Sequence, residues 1–236
     1  METKIREMQL KLLAILAPQK TTFALAGGTA LELYYLGHRF SRDLDLFSPT
    51  YNLKEVDKIV ALLSKGIGKK IKLEGQFISS NHAQVQFYVM PVEGSSFPLK
   101  IDFVEDVIFD QPEIKRFNRV PVYAAKQIYF QKILAIVGTR LIQDSTGREI
   151  TGGRGEIRDV IDLYYLSQKI EPLHLFLKDL PREYQRGIIQ WYHSFSRQEF
   201  KLGFLDFDIY DKTLDSSRII SHLEAEIKKF LEGELK

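Results

Sequence analysis

Two aspartates stand one residue apart in the segment RDLDLF, at positions 43 and 45. In a β-strand, side chains two residues apart project from the same face, so Asp43 and Asp45 are expected to lie together, with Leu44 and Leu46 facing the core. Two adjacent carboxylates repel each other unless a cation lies between them, and Mg²⁺ binds carboxylate and phosphate oxygens. Taken alone, the pair is most simply interpreted as part of a solvated strand face, and a divalent metal site is the alternative.

The chain contains an internal control for this pattern. Asp206 and Asp208 in FLDFDIY have the same spacing, but nothing upstream of them suggests a phosphate site. We interpret these two as surface residues, which is the simplest interpretation of a D-x-D pair taken alone.

The first pair differs because the segment GGT precedes it. Gly27 and Gly28 lie between a short apolar run and a helix-like segment. Glycine lets backbone amides approach an anion closely, and a helix N-terminus favours negative charge. Thr29 is expected to cap that helix or to donate its hydroxyl to a phosphate. Together these residues predict a phosphate-binding turn beside a metal site.

A third carboxylate is available in FPLKIDFV. Leu99, Ile101 and Phe103 alternate there with Asp102, which alone would be interpreted as a surface residue. We expect Asp102 to come from a strand beside that of Asp43 and to accept a proton from an attacking hydroxyl. The three carboxylates are then expected to converge within about one metal-ion diameter.

The composition excludes several other kinds of site. The chain has 236 residues, a net charge of +2 and no cysteine, which excludes disulfides, thiolate zinc sites and cysteine nucleophiles. The five histidines show no zinc-binding spacing. The charge is too small to indicate nucleic-acid binding by itself. No signal peptide or membrane span is visible, so we expect a cytoplasmic protein without a membrane partner.

The elements that must position these residues form two groups. Up to about residue 120, strand-like runs and helices predict an α/β domain with a mixed or antiparallel sheet, and 121–236 is predicted to be a helical domain. Helical spacing is predicted to continue through VYAAKQIYFQKILAIVGTRL. The polar, glycine-rich stretch at about 138–155 predicts a mobile loop or a hairpin.

The combination GGTAL…HRFSRDLDLF…LKIDFV resembles the polymerase-β-like nucleotidyltransferase superfamily. With Arg39 and Ser41 just before the aspartates, it is similar to the AbiEii/AbiGii-type toxin family. FQKILAIVGTR and RDVIDLYYL resemble that family's helical motifs, a lysine in K-x-x-A and an R-D-x-x-D-L helix. The loop between Arg140 and Arg158 is longer than the family's usual connection.

The resemblance implies an α+β fold, with a polymerase-β-like nucleotidyltransferase domain followed by a helical C-terminal domain. It implies transfer of NMP from an NTP to an acceptor hydroxyl with Mg²⁺ or Mn²⁺, and a toxin role in an AbiE-like toxin–antitoxin or phage-defence system with an antitoxin encoded nearby. The acceptor (RNA such as tRNA, a protein or a small molecule such as an antibiotic) is left open. A catalytically inactive binding protein on the same fold is the alternative.

The resemblance also assigns roles to residues. It implies that the metal is bound by Asp43, Asp45 and Asp102. It implies that catalysis depends on these three residues and on Lys132, which would contact the triphosphate. Nucleotide binding falls to Gly27, Gly28, Thr29, Arg39, Ser41, Arg158, Asp159 and Asp162.

The residues alone leave some of these roles open. Lys126 and Lys132 both have apolar helical neighbours, and either could instead be a lysine whose head group reaches water. Arg158 is placed to pair with Asp162 at i,i+4, in a cluster that either forms a structural ion-pair network, orients Lys132, or binds the base or acceptor. Arg39 is expected to pair with an active-site carboxylate or to contact a phosphate.

Overall fold

The computed structural model describes residues 2–79, 82–138, 141–143, 149–151 and 153–234. The chain forms two compact units: the first comprises Met1–Tyr35 and Phe40–Gln127, and the second Leu36–Arg39 and Ile128–Lys236. A four-residue segment between the glycine turn and the aspartates thus belongs to the second unit. The domain boundary near residue 120 stays a prediction.

The first unit contains the sheet and three α-helices among its described residues. The helices are α1 (Glu2–Leu16), α2 (Gly27–Ala30), which continues as a π-helix over Leu31–Leu36, and α3 (Leu53–Ile67). The strands are β1 (Ala24–Ala26), β2 (Leu44–Ser48), β3 (Lys72–Ile78), β4 (Gln84–Met90), β5 (Leu99–Glu105), β6 (Ile114–Phe117) and β7 (Val120–Tyr123).

These strands form one mixed sheet in the order β3-β4-β5-β2-β1-β7-β6. Strand β2 lies antiparallel to β1 and parallel to β5, and β1 lies parallel to β7. The pairs β3–β4, β4–β5 and β6–β7 are antiparallel. The α+β class with a mixed sheet, predicted from the sequence, is confirmed.

The two faces of the central strands differ in burial. Leu46 is buried while Asp45 is partly exposed, and Phe103 is buried while Asp102 is partly exposed. Phe23 packs edge-on against Phe103 with ring centroids 5.1 Å apart. Each such buried side chain contributes about 1.5–3 kcal/mol to folding. The apolar face therefore fixes the register and leaves the aspartate face accessible.

The second unit is mainly helical in its described part. Its elements are α4 (Ala125–Val137), which begins in the first unit, β8 (Leu141–Gln143), β9 (Glu149–Thr151), α5 (Ile157–Lys169), α6 (Leu173–Lys178), α7 (Arg182–Ser194), α8 (Arg197–Phe204) and α9 (Ser216–Glu234). Helix α5 is buried at every position from Asp159 to Ser167, because it packs against α8 and α9. Tyr129 of α4 stacks on Phe176 of α6 at 4.0 Å.

Two local predictions are changed by the structure. The helix expected from Val122 onward begins only at Ala125, because Val120–Tyr123 forms a fully buried strand paired with β1. Valine and tyrosine favour strands, so burial in the sheet outweighs the helical spacing. The hairpin alternative for the polar stretch is confirmed by the antiparallel pairing of β8 with β9. Residues 139–140, 144–148 and 152 of that stretch lie outside the described residues.

Across the described ranges, no helix has both the length and the apolar character needed to cross a membrane.

Candidate active site

The parallel pairing of β2 with β5 sets the position of two of the predicted carboxylates. Asp45 lies directly opposite Asp102 in the register, and Leu46 lies opposite Phe103. Neighbouring strands are about 4.8 Å apart, and residues opposite each other in a parallel pair share a face. The two carboxylates are therefore neighbours on the accessible face, as the sequence predicts. Their catalytic role stays a prediction.

Asp43 immediately precedes β2 and is partly exposed. In the part of the chain that the structure describes, no three acidic or histidine side chains converge as metal ligands. The expected convergence of Asp43, Asp45 and Asp102 is therefore not seen.

The glycine turn touches Asp45. Gly27 has φ +65°, and a Cβ built on it would lie 2.1 Å from Oδ2 and 2.8 Å from Cγ of Asp45. Only a residue without a side chain lets the backbone approach this carboxylate so closely. The predicted phosphate-binding turn and the predicted metal ligand are therefore in direct contact, and the neighbouring Gly28 is buried.

Thr29 does not cap helix α2. The N-cap position is Ala26, and no side chain caps the helix. Thr29 is fully buried, and its hydroxyl donates to the carbonyl of Asp43 and lies 3.4 Å from that of Ser41. The predicted cap is wrong, because the helix begins two residues earlier at Gly27. Thr29 instead holds the backbone that carries Asp43.

The same segment is held by residues that the sequence interpretation missed. The backbone N–H of Ser41 donates to Glu32 Oε2 at 2.7 Å, and Glu32 also pairs with Arg6. Gln9 donates to carbonyls of the segment. The signal for Gln9 was available: it occupies the helical position between Ile5 and Leu12, where an apolar residue is expected.

The second unit contains a buried charge cluster around Asp162. Arg39 donates through Nε and Nη2 to the two Asp162 oxygens at 2.7 and 2.8 Å. Lys132 Nζ lies 2.8 Å from Asp162 and 2.8 Å from Asp159, and Arg154 donates to Asp159 at 2.9 Å. The side chains of both aspartates have no exposed surface. Three cations thus face two buried carboxylates.

These contacts decide the charge states. Burial alone would lower the pKa of Lys132, but Asp162 and Asp159 outweigh it and hold that pKa above its ordinary value. Burial would raise the pKa of Asp162, but Arg39 and Lys132 hold it well below its ordinary value. The pKa of Asp159 is likewise lowered by Lys132 and Arg154 despite burial. All three groups are therefore charged at neutral pH.

His38 extends the cluster and was not predicted as a site residue. Its Nε2 lies 2.7 Å from Asp162 Oδ1, and burial lowers the pKa of His38 below its usual value of 6.5 even though Asp162 opposes the shift. The imidazole is thus neutral at pH 7 and donates from Nε2. The backbone of the same segment is held by the bridge between Arg39 and Ile209 and by the N–H of Tyr210, which donates to His38 O at 3.0 Å.

The contacts in the cluster can be compared with the alternative roles that the sequence left open for Lys132, Arg39 and Arg158. Lys132 is buried, so its head group does not reach water, whereas Lys126 is exposed. Arg39 pairs with the carboxylate of Asp162, and its pairing with an active-site carboxylate stays a prediction. Arg158 pairs with Glu156 at 2.7 Å, at the start of α5. Contacts from any of these residues to a nucleotide stay predictions.

The mixed sheet, with the glycine turn beside the aspartate strand, belongs to an α+β fold that is found in solved structures. Two structures from Helicobacter pylori have a similar fold. JHP933 matches with a TM-score of 0.57 and 16% identity over 99% of this chain and 94% of that chain. A second structure, described as a putative nucleotidyltransferase from H. pylori, matches with a TM-score of 0.57 and 16% identity over 97% of this chain and 95% of that chain.

The family comparison identifies the chain more specifically. The family model described as "Nucleotidyl transferase AbiEii toxin, Type IV TA system" matches residues 11–234. The chain therefore belongs to the AbiEii family of nucleotidyltransferase toxins. No curated protein matches it.

Replacing Gly27 with alanine tests the contact with Asp45. Gly27→Ala is expected to abolish nucleotidyl transfer, because the new methyl group displaces the Asp45 carboxylate. Gly68→Ala is the matched control, since Gly68 has φ +67° with no atom within 4 Å of its added Cβ. Both variants are expected to lose about 1–2 kcal/mol of stability from the left-handed backbone. Equal transfer by the two variants would contradict the proposed contact.

Replacing Lys132 with methionine tests the buried cluster. Removing one partner from a buried ion pair costs about 3–5 kcal/mol, because the remaining charges lose their compensation. Lys132→Met is therefore expected to destabilise the protein by that amount in urea unfolding. Lys126→Met, on the exposed face of the same helix, should change stability by less than about 0.5 kcal/mol. Similar losses in both variants would show that the cluster does not stabilise the fold.

Proposed function

We propose that the protein is a metal-dependent nucleotidyltransferase that transfers the NMP group of an NTP to an acceptor hydroxyl. The observation that carries the proposal is the register of Asp45 with Asp102, together with the contact of Gly27 with the Asp45 carboxylate. A phosphate-binding turn and two hard oxygen donors on one accessible sheet face are what this chemistry requires.

Asp43, Asp45 and Asp102 would hold the Mg²⁺ or Mn²⁺ ion. The donor set suits such an ion, because two of the carboxylates lie side by side and are partly exposed. When bound, the ion neutralises negative charge that builds up on the triphosphate during transfer.

The chain's own groups bind and orient the reactants. The backbone amides at Gly27 and Gly28 bind the β- and γ-phosphates. The acceptor oxygen forms a bond to the α-phosphorus. The bond between the α-phosphorus and the oxygen that bridges it to the β-phosphorus breaks, and pyrophosphate leaves. Asp102 accepts the proton from the acceptor hydroxyl. Thr29 keeps the Asp43 backbone in place while charge redistributes.

Lys132 and Arg39 enter this scheme with carboxylate partners already bound. Lys132 has two such partners, Asp159 and Asp162, each at 2.8 Å. Arg39 donates through Nε and Nη2 to the two Asp162 oxygens. We assign Arg39 to holding the segment 36–39, and the triphosphate contact that the family resemblance implies for Lys132 stays a prediction.

The family membership supports a toxin whose activity is controlled by an antitoxin encoded nearby. The acceptor class follows from the fate of the label in a transfer assay. Label on RNA, on protein or on an added antibiotic distinguishes the three classes in one experiment.

The test uses α-³²P- and γ-³²P-labelled NTPs with Mg²⁺, total cellular RNA and total cellular protein. The wild type is expected to transfer the α-label and to release the γ-label in pyrophosphate. The double variant Asp43→Asn, Asp45→Asn should lose at least about 100-fold in rate, since it removes preorganised charge at the reacting centre. Its stability should be unchanged or slightly higher, because a repulsion is removed.

The double variant Asp206→Asn, Asp208→Asn is the matched control, because it has the same spacing and chemistry in the second unit. It should transfer at the wild-type rate. Transfer of the γ-label would indicate a kinase instead. If growth arrest on expression persists in the Asp43, Asp45 variant, the protein acts by binding and the proposed enzyme activity is not the cause of toxicity.

A further inference from the structure

A glutamine occupies the buried face of α1 where an apolar side chain is expected. Gln9 has no exposed surface, and Ile5 and Leu12 on the same helix face are also buried. A buried amide destabilises a fold unless its hydrogen bonds are made. The contacts of Gln9 therefore decide why a polar group is present at this position.

The amide donates to one short segment of backbone. Nε2 of Gln9 lies 3.1 Å from the carbonyl of Ser41, 2.8 Å from that of Arg42 and 3.5 Å from that of Asp43. These residues lie between the second unit's segment and strand β2, outside any helix or strand. Backbone carbonyls outside helices and strands need hydrogen-bond donors other than the backbone N–H groups of a helix or sheet. Gln9 supplies this donor at the first aspartate of the D-x-D pair and at the two residues before it.

The orientation of the amide is fixed from its other end. Arg6 donates through Nη1 to Gln9 Oε1 at 2.6 Å, and through Nη2 to Glu32. Glu32 in turn accepts the N–H of Ser41 at 2.7 Å. Arginine has only donors, so the amide oxygen must face Arg6 and the NH₂ group must face the carbonyls. The side chains of Arg6, Gln9 and Glu32 and the backbone of Ser41 thus form a closed ring of hydrogen bonds.

We propose that Gln9, oriented by Arg6, is a positioning residue that holds the backbone of 41–43 so that the D-x-D carboxylates face the reacting phosphate. The inference rests on the proposed nucleotidyl transfer. Both residues precede the segment matched by the family model, which begins at residue 11, so the assignment comes from this structure alone. Thr29 holds the carbonyl of Asp43 as well.

The test compares Gln9→Met with Gln185→Met in the full-length protein. Methionine keeps the length and apolar volume of glutamine and removes its donors. Gln185 is the matched control, because its Nε2 donates to the carbonyls of Leu177 and Leu180 at 3.0 and 2.9 Å in the second unit. Two readouts are taken: amide hydrogen exchange of residues 41–44 without metal or nucleotide, and kcat and KM for the NTP.

Gln9→Met is expected to speed exchange at 41–44 by at least about tenfold, because the segment opens locally. Its kcat should fall by about 10- to 100-fold with KM changed less than about threefold, as for a small misplacement of reacting groups. Gln185→Met should change neither. Exchange at the wild-type rate in Gln9→Met would overturn the proposal, and so would faster exchange with wild-type kcat.

A second variant covers the case in which Gln9→Met does not fold, and the exchange measurement covers the case in which the wild type is inactive. If Gln9→Met does not fold, Arg6→Met removes the orienting contact from a partly exposed position, with Lys4→Met on the exposed side of the same helix as its control. Arg6→Met should then show the same exchange and kcat changes, and their absence would overturn the proposal. If the wild type transfers no label, the proposed function fails, and the exchange measurement alone decides whether Gln9 holds the segment.

Discussion

The parallel pairing of β2 with β5 is the interaction on which the rest of the site depends. It places Asp45 opposite Asp102, and the antiparallel pairing of β2 with β1 brings Ala26 opposite Asp45, so that Gly27 follows directly against the carboxylate. A shift of one residue in either register would move the carboxylates to the buried face. The buried leucines and Phe103 on the other face prevent that shift, so the packing of the core fixes the geometry of the site.

The carboxylates of the two units have opposite environments. On the sheet face, Asp45 and Asp102 are neighbouring, partly exposed carboxylates. In the second unit, Asp159 and Asp162 are already neutralised by buried cations, and His38 is kept neutral by burial. The buried, ion-paired aspartates of the second unit are typical of a structural network. The partly exposed carboxylates on the sheet face are suited to binding a charged ligand. The segment 36–39, held by Asp162, lies in sequence between the glycine turn and the aspartates.

The sequence predicts those features that depend on local spacing. The alternation around Asp45 and Asp102 predicts their common face, and the turn at Gly27 follows from its two glycines. The ring of Arg6, Gln9, Glu32 and Ser41 joins residues far apart in the chain, so no local pattern reveals it. Only the family resemblance favours Lys132 over Lys126 as the lysine that contacts phosphate, because both lysines have apolar neighbours at helical spacing. The strand at Val120–Tyr123 was missed because its pairing with β1 outweighs local helical spacing.

The central claim is that the aspartate face of the sheet, and not the buried cluster, binds the catalytic metal. The most direct test is anomalous diffraction from crystals grown with Mn²⁺ and a non-hydrolysable NTP analogue. A manganese peak is expected about 2.1 Å from carboxylate oxygens of both Asp45 and Asp102, with the triphosphate at Gly27 and Gly28. A bound nucleotide with no metal at Asp45 and Asp102, or with manganese at Asp159 and Asp162 instead, would contradict this claim.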